Sequence, residues 1–152
     1  YAFSTEGMVG YSLGKKDINL FKKIVQNSFI LSSITGLIIS IIYFLINNFV
    51  IELMSDIEEI RNLSSSYAVW LIIMPLISSF CFQFDGIFIG VSQTKELRNA
   101  MIFSVFCYLT ISIFLTDLMG NTGVWISLCI FMILRALSLY YYMDKIYLRF
   151  NK

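Results

Sequence analysis

The chain has 152 residues, 58% of them hydrophobic and only 14% charged, with a mean hydropathy of +0.78 and a net charge of +1. That composition excludes an ordinary soluble domain, and so balanced a charge offers nothing to a nucleic acid. Cys81, Cys107 and Cys129 all fall within apolar runs, without a CxxC pair and without any histidine in the chain. They argue against a disulfide framework or a zinc site and for cysteine as a small apolar residue.

Four apolar runs, 24–51, 67–91, 100–118 and 122–143, each supply the ~20 residues that a helix needs to cross ~30 Å of hydrocarbon. The expected fold class is therefore all-α: a polytopic membrane helix bundle with four complete transmembrane helices plus the end of a preceding one, forming one partial membrane domain over 1–152. The opening YAFSTEGMVGYSLGKKD has neither an initiator methionine nor a signal peptide. Residues 1–14 read as the end of a helix stopped by Gly14, so the chain is expected to be the C-terminal part of something longer. Lys15 to Lys23 predict a short amphipathic connector at the interface.

The first complete span carries Ser28, Ser32, Gly36 and Ser40 at four-residue spacing, a small-xxx-small edge for close helix packing. The acidic stretch 52–61 predicts a short interfacial helix. Glu52, Asp56 and Glu59 stand at a spacing that a metal could use, yet solvated charge is the better reading. The second span contains the one proline, Pro75, which invites a kink, and Asp85, an ionisable group that costs roughly 2.5–3.5 kcal/mol within the bilayer on insertion-derived scales. Helical spacing puts Ser79, Gln83, Gly86, Gly90 and Gln93 on one small or polar stripe, with Ser78, Asp85 and Ser92 beside it. Roughly half of this helix is thus expected to avoid lipid. Lys95, Glu96 and Arg98 then mark a tight loop at headgroup level. The third span is nearly featureless and leaves through TDLMGNTGVW, where Gly120 and Asn121 supply a turn and Trp125 lies near the interface. The fourth holds Arg135, on one stripe with Ser127, Phe131 and Ser138; a guanidinium in a membrane must find a carboxylate, water or a headgroup.

Nine of the eleven basic residues lie on one side of these spans: Lys15, Lys16, Lys22, Lys23, Lys95, Arg98, Lys145, Arg149 and Lys152. The opposite side has Arg61 among Glu52, Asp56, Glu58 and Glu59. The positive-inside bias makes the basic side, including the C-terminus, cytoplasmic. The basic tail reads as a snorkelling flank rather than a lipid-binding patch.

Glu6, Asp85 and Arg135 each stand nine or ten residues from a basic marker, Lys15, Lys95 and Lys145, and so ~13–15 Å from the same face. At one level, two carboxylates and one guanidinium partly satisfy one another and leave one net negative charge, a site that can hold a proton or a cation. The alternative is that Arg135 snorkels to headgroups and never meets Asp85. A faint internal echo pairs Glu6-Gly7 with Asp85-Gly86, and Lys15-Lys16 with Lys95-Glu96, as repeated membrane hairpins would.

FSTEGMVGYSLGKKD, WLIIMPLISSFCFQFDGIFIGVSQTKELRNAM, GNTGVW and LRALSLYYY together resemble the C-terminal third of a multidrug and toxic compound extrusion (MATE) family transporter, in its DNA-damage-inducible F branch. The resemblance covers essentially the whole chain, and FDGIFIGVSQTKELRNAM is its most specific part. It implies a parent of twelve helices in two six-helix lobes in the bacterial cytoplasmic (inner) membrane. Such a parent is a secondary active antiporter that exports organic cations, drugs or other amphipathic compounds in exchange for protons or sodium. No cofactor is implied beyond that coupling ion, H+ or Na+. The implied partners are the lipid bilayer, a small cationic or amphipathic substrate, and the N-terminal lobe, absent here together with its first-helix aspartate. Asp85 matches a carboxylate of the tenth helix that serves cation coupling in some members, and Glu6 matches an acidic position of the eighth. Gln83 and Arg135 join them as cavity candidates, while Pro75, Gly86, Gly90 and Arg98 are structural ones.

An enzyme is the weaker expectation. An intramembrane aspartyl protease needs two membrane aspartates, whereas only Asp85 qualifies, and acyl-transfer chemistry of the rhomboid or histidine-dependent kind needs a histidine. A lipid-linked oligosaccharide flippase of the same superfamily calls for a cationic cavity, against an intramembrane charge of −1. A non-transporting membrane interaction subunit remains as a third reading.

Overall fold

The computed structural model describes residues 2–150; the expectation for Lys152 in the basic tail lies outside the described residues. Five helices follow one another: α1 (Ala2–Gly14), α2 (Ile18–Met54), α3 (Glu58–Gly90), α4 (Thr94–Met119) and α5 (Asn121–Phe150). The last four are long and apolar enough to cross a membrane. Their lipid-facing surfaces carry large exposed hydrophobics, such as Leu37 and Ile41 on α2 or Phe106 and Leu109 on α4.

The helices run past the apolar stretches into what read as connectors. α2 has 37 residues, about 55 Å of helix, and takes in most of the expected amphipathic connector. Asp17 caps it, its carboxylate accepting from the Leu20 N–H at 2.9 Å. The acidic stretch likewise forms no separate helix. α2 ends at Met54, Ser55–Ile57 are non-helical, and Glu58 and Glu59 begin α3, where carboxylates complement the positive end of the helix dipole. Arg61 ties this break together by donating to the carbonyls of Ser55 (2.6 Å) and Glu52 (3.3 Å) and meeting Asp56 at 3.4 Å. Among the described residues no three metal-ligating side chains gather. α3 stays helical through Pro75.

Two turns at the basic end share one design. The N–H groups of Lys16 and Asp17 donate to Leu13 and Ser12, and those of Ser92 and Gln93 donate to Ile89 and Phe88. Lys16 (φ 54°) and Ser92 (φ 57°) take the left-handed conformation that closes a Schellman motif. The register that pairs Lys16 with Ser92 also pairs Gly10 with Gly86, Gly14 with Gly90, and Asp17 with Gln93. It further pairs Ser28 with Ser104, both buried and donating one turn back to Ile24 and Ala100 at 2.7 Å. The two hairpins thus share their turn geometry, in a register that does not align Glu6 with Asp85.

Close packing comes from small residues, as bundles in lipid require. Ser28, Ser32, Gly36 and Ser40 are all buried on the α2 face that meets α3. A Cβ on Gly36 would lie 3.0 Å from the Pro75 carbonyl. α1 packs on α3 through Gly86 and Gly90, where a Cβ would come within 2.5 Å of the carbonyls of Ala2 and Glu6. The apolar core, including Val9, Phe21, Ile87, Phe88, Leu139 and Ile146, sits toward the basic end. There Arg149 of α5 donates to the Val91 carbonyl, left free at the end of α3, rather than serving only as a snorkelling flank.

Candidate functional site

A cavity of about 560 Å³ lies between α1, α2 and α3. Its walls are mostly apolar, with Phe3, Ile39, Phe82 and Ile89, but Glu6, Gln83 and Asp85 all face it, together with Ser32, Thr35 and Ser78. The cavity exists because small residues set the spacing of its walls: Gly36 against Pro75 and Ser79 on one side, Gly86 and Gly90 against α1 on the other.

Asp85 meets Arg135 of α5, Nη2 to Oδ2 at 2.9 Å, with side chains only 15% and 12% exposed. Arg135 therefore does not snorkel. It crosses from α5 to the far side of the Asp85 carboxylate, while Asp85 itself borders the cavity. The pairing is incomplete, since Oδ1 of Asp85 and Nε of Arg135 are both buried and lack hydrogen-bond partners among the described residues. Cys81, fully buried one helical turn before Asp85, packs as a small apolar residue.

Glu6 lines the same cavity but stands at a different depth from the one its spacing suggests. α1 and α3 run in the same direction here, Ala2 beside Gly86 and Glu6 beside Gly90, so Glu6 lies some five residues, ~7 Å, nearer the basic end than Asp85. It is half-buried and forms no ion pair among the described residues.

Gln83 is held by partners that spacing alone did not reveal. The Thr5 hydroxyl lies 2.9 Å from Gln83 Oε1 and 3.1 Å from Ser28 Oγ, and Ser28 in turn donates to Ile24 O at 2.7 Å. A hydroxyl has a single proton and Ser28's is already used. Thr5 therefore gives its proton to Gln83 Oε1, the shorter contact, while Ser28 is held by its own bond to Ile24. The signal was present in the buried α1 stripe Thr5, Val9 and Ser12. Pro75 and Gly86 border the cavity and Gly90 the helix contact beside it, whereas Arg98 is exposed on α4, away from it.

Comparison with known proteins agrees with this architecture. Over 139 residues, 91% of this chain, the sequence is 28% identical to DNA damage-inducible protein F of Escherichia coli (strain K12). The chain spans only about 30% of that relative's length. No solved structure matches it. The MatE family model matches residues 1–118, from the Gly-mediated packing of α1 on α3 through Asp85 to the end of α4. The chain belongs to the MatE family.

Proposed function

We propose that this chain forms part of a secondary active efflux transporter, an antiporter that exports organic cations or drugs in exchange for protons or sodium. Its place would be the bacterial inner membrane, with the basic end and C-terminus cytoplasmic, and another lobe would close the open side of the cavity. The observation that carries the reading is the incomplete Asp85–Arg135 pair on the wall of an apolar cavity that Glu6 shares. Asp85 is the leading ion- or proton-coupling group, Glu6 the second, Gln83 a polar cavity residue and Arg135 the counter-charge. The mechanism is alternating access: occupancy of the carboxylates by the coupling ion favours one orientation of the lobes, and substrate favours the other. Two carboxylates against one guanidinium suit a cationic substrate and disfavour a pyrophosphate-bearing one.

The deciding experiment reconstitutes the intact protein in vesicles and follows efflux of a cationic dye under an imposed pH or sodium gradient. Asp85→Asn should abolish gradient-driven efflux while dye binding persists in a form weakened by the lost charge. Unchanged efflux would make Asp85 a structural polar residue and place coupling elsewhere.

A further inference from the structure

An ion pair withdrawn from water is stable when both partners use their full hydrogen-bonding capacity, because every lone pair or proton left over has lost its solvent. Asp85 and Arg135 do not meet that condition. They touch once, at 2.9 Å, and leave Oδ1 and Nε buried and unpartnered among the described residues. Asp85 nevertheless borders the cavity, so the carboxylate whose charge Arg135 compensates belongs to the cavity wall. The second carboxylate of the cavity, Glu6, meets no guanidinium or ammonium among the described residues. With both carboxylates ionised, the site carries one net negative charge.

We infer that Arg135 selects the valence of the substrate: by neutralising one of the two cavity carboxylates it matches the site to monovalent organic cations and turns away divalent ones. The inference rests on the cation-export reading and deepens it. In a largely apolar cavity charge is weakly screened, so a dication bound to a single net negative charge keeps an uncompensated charge that water would otherwise solvate. A monocation is compensated. It does not have to break the Asp85–Arg135 contact, because the second carboxylate, Glu6, lines the same cavity. The cavity, at about 560 Å³, lies within the range that holds a drug-sized ligand.

The test uses ethidium and propidium, which share an aromatic core but carry one and two positive charges. Equilibrium binding of each to the intact protein is read by fluorescence at fixed pH and ionic strength. The wild type should prefer ethidium, and Arg135→Gln should shift the ratio of the two dissociation constants toward propidium by about tenfold or more. Arg135→Lys, which keeps the charge, should stay close to the wild type. The double variant Asp85→Asn/Arg135→Gln restores a net charge of −1 and should restore the wild-type ratio. Glu6→Gln should weaken both dyes, propidium more. If Arg135→Gln does not fold, the double variant and Glu6→Gln still decide the matter, since the ratio must follow formal charge. An unchanged ratio in Arg135→Gln, a lysine variant that shifts as far as the glutamine one, or a double variant unlike the wild type each overturns the inference. Failure of the wild type to bind either dye would instead remove the cation-export reading beneath it.

Discussion

At the scale of single residues, the site works by contact between groups that are far apart in the chain. Thr5, Ser28 and Gln83 form one buried polar chain linking α1, α2 and α3. Thr5→Val keeps the shape but strands the Gln83 amide, and an unsatisfied buried polar group costs about 1–3 kcal/mol. Thermal unfolding in detergent should show a lower midpoint for Thr5→Val and near wild-type behaviour for Thr5→Ser. Asp85 was identifiable from sequence as a carboxylate in an apolar run. Its partner was not determined by that observation, because snorkelling and pairing are both open to an arginine at that depth, and only the approach of α5 to α3 selects pairing.

At the scale of elements, backbone contacts rather than side chains set the distances between helices. Gly123, at the start of α5, faces the backbone of α4, and a Cβ there would meet the Leu115 carbonyl. No side chain lies between them to yield, so Gly123→Ala must push the two helices apart at the acidic end. Overpacking of this kind costs about 1–3 kcal/mol or more, and the stacked Trp70–Trp125 pair on α3 and α5 should report it as a change in tryptophan fluorescence. Gly120 joins these helices as a single residue at φ 59°, ψ −137°, a conformation that suits glycine. Gly90→Leu should detach α1 from α3 and open the cavity on that side, measurable as loss of dye binding with α4 and α5 still paired. The small-residue edge of α2 was legible at strict four-residue spacing and is buried throughout. The connectors were misread for a physical reason: charged residues of high helix propensity beside a cap continue a helix as readily as they end one, and the Asp17 cap decides where α2 begins.

At the scale of the whole molecule, charge separates the two ends of the bundle. The basic end is knitted by Arg149 on the Val91 carbonyl, Lys145 to Glu96 at 3.3 Å and Lys22 over the Tyr147 ring, while the acidic end holds Arg61 among carboxylates. The proposed orientation places the basic end in the cytoplasm. In a background lacking Cys81, Cys107 and Cys129, Ser92→Cys should react with a membrane-impermeant thiol reagent only after the cytoplasmic face is exposed, and Ser55→Cys only from the outside. Labelling of Ser92→Cys in intact cells would reverse the assignment.

The sequence by itself determined the solvent, the number of spans and the presence of a costly carboxylate, because apolar run length and isolated charge are local properties that a bilayer reads directly. Tertiary structure alone decided what those groups meet. The partner of Asp85, the depth of Glu6, the chain from Thr5 to Gln83 and the register of the two hairpins all depend on how close glycines let the helix backbones come. In lipid, where no hydrophobic force drives helices together, that closeness is a property of pairs of surfaces and is not written in either one alone.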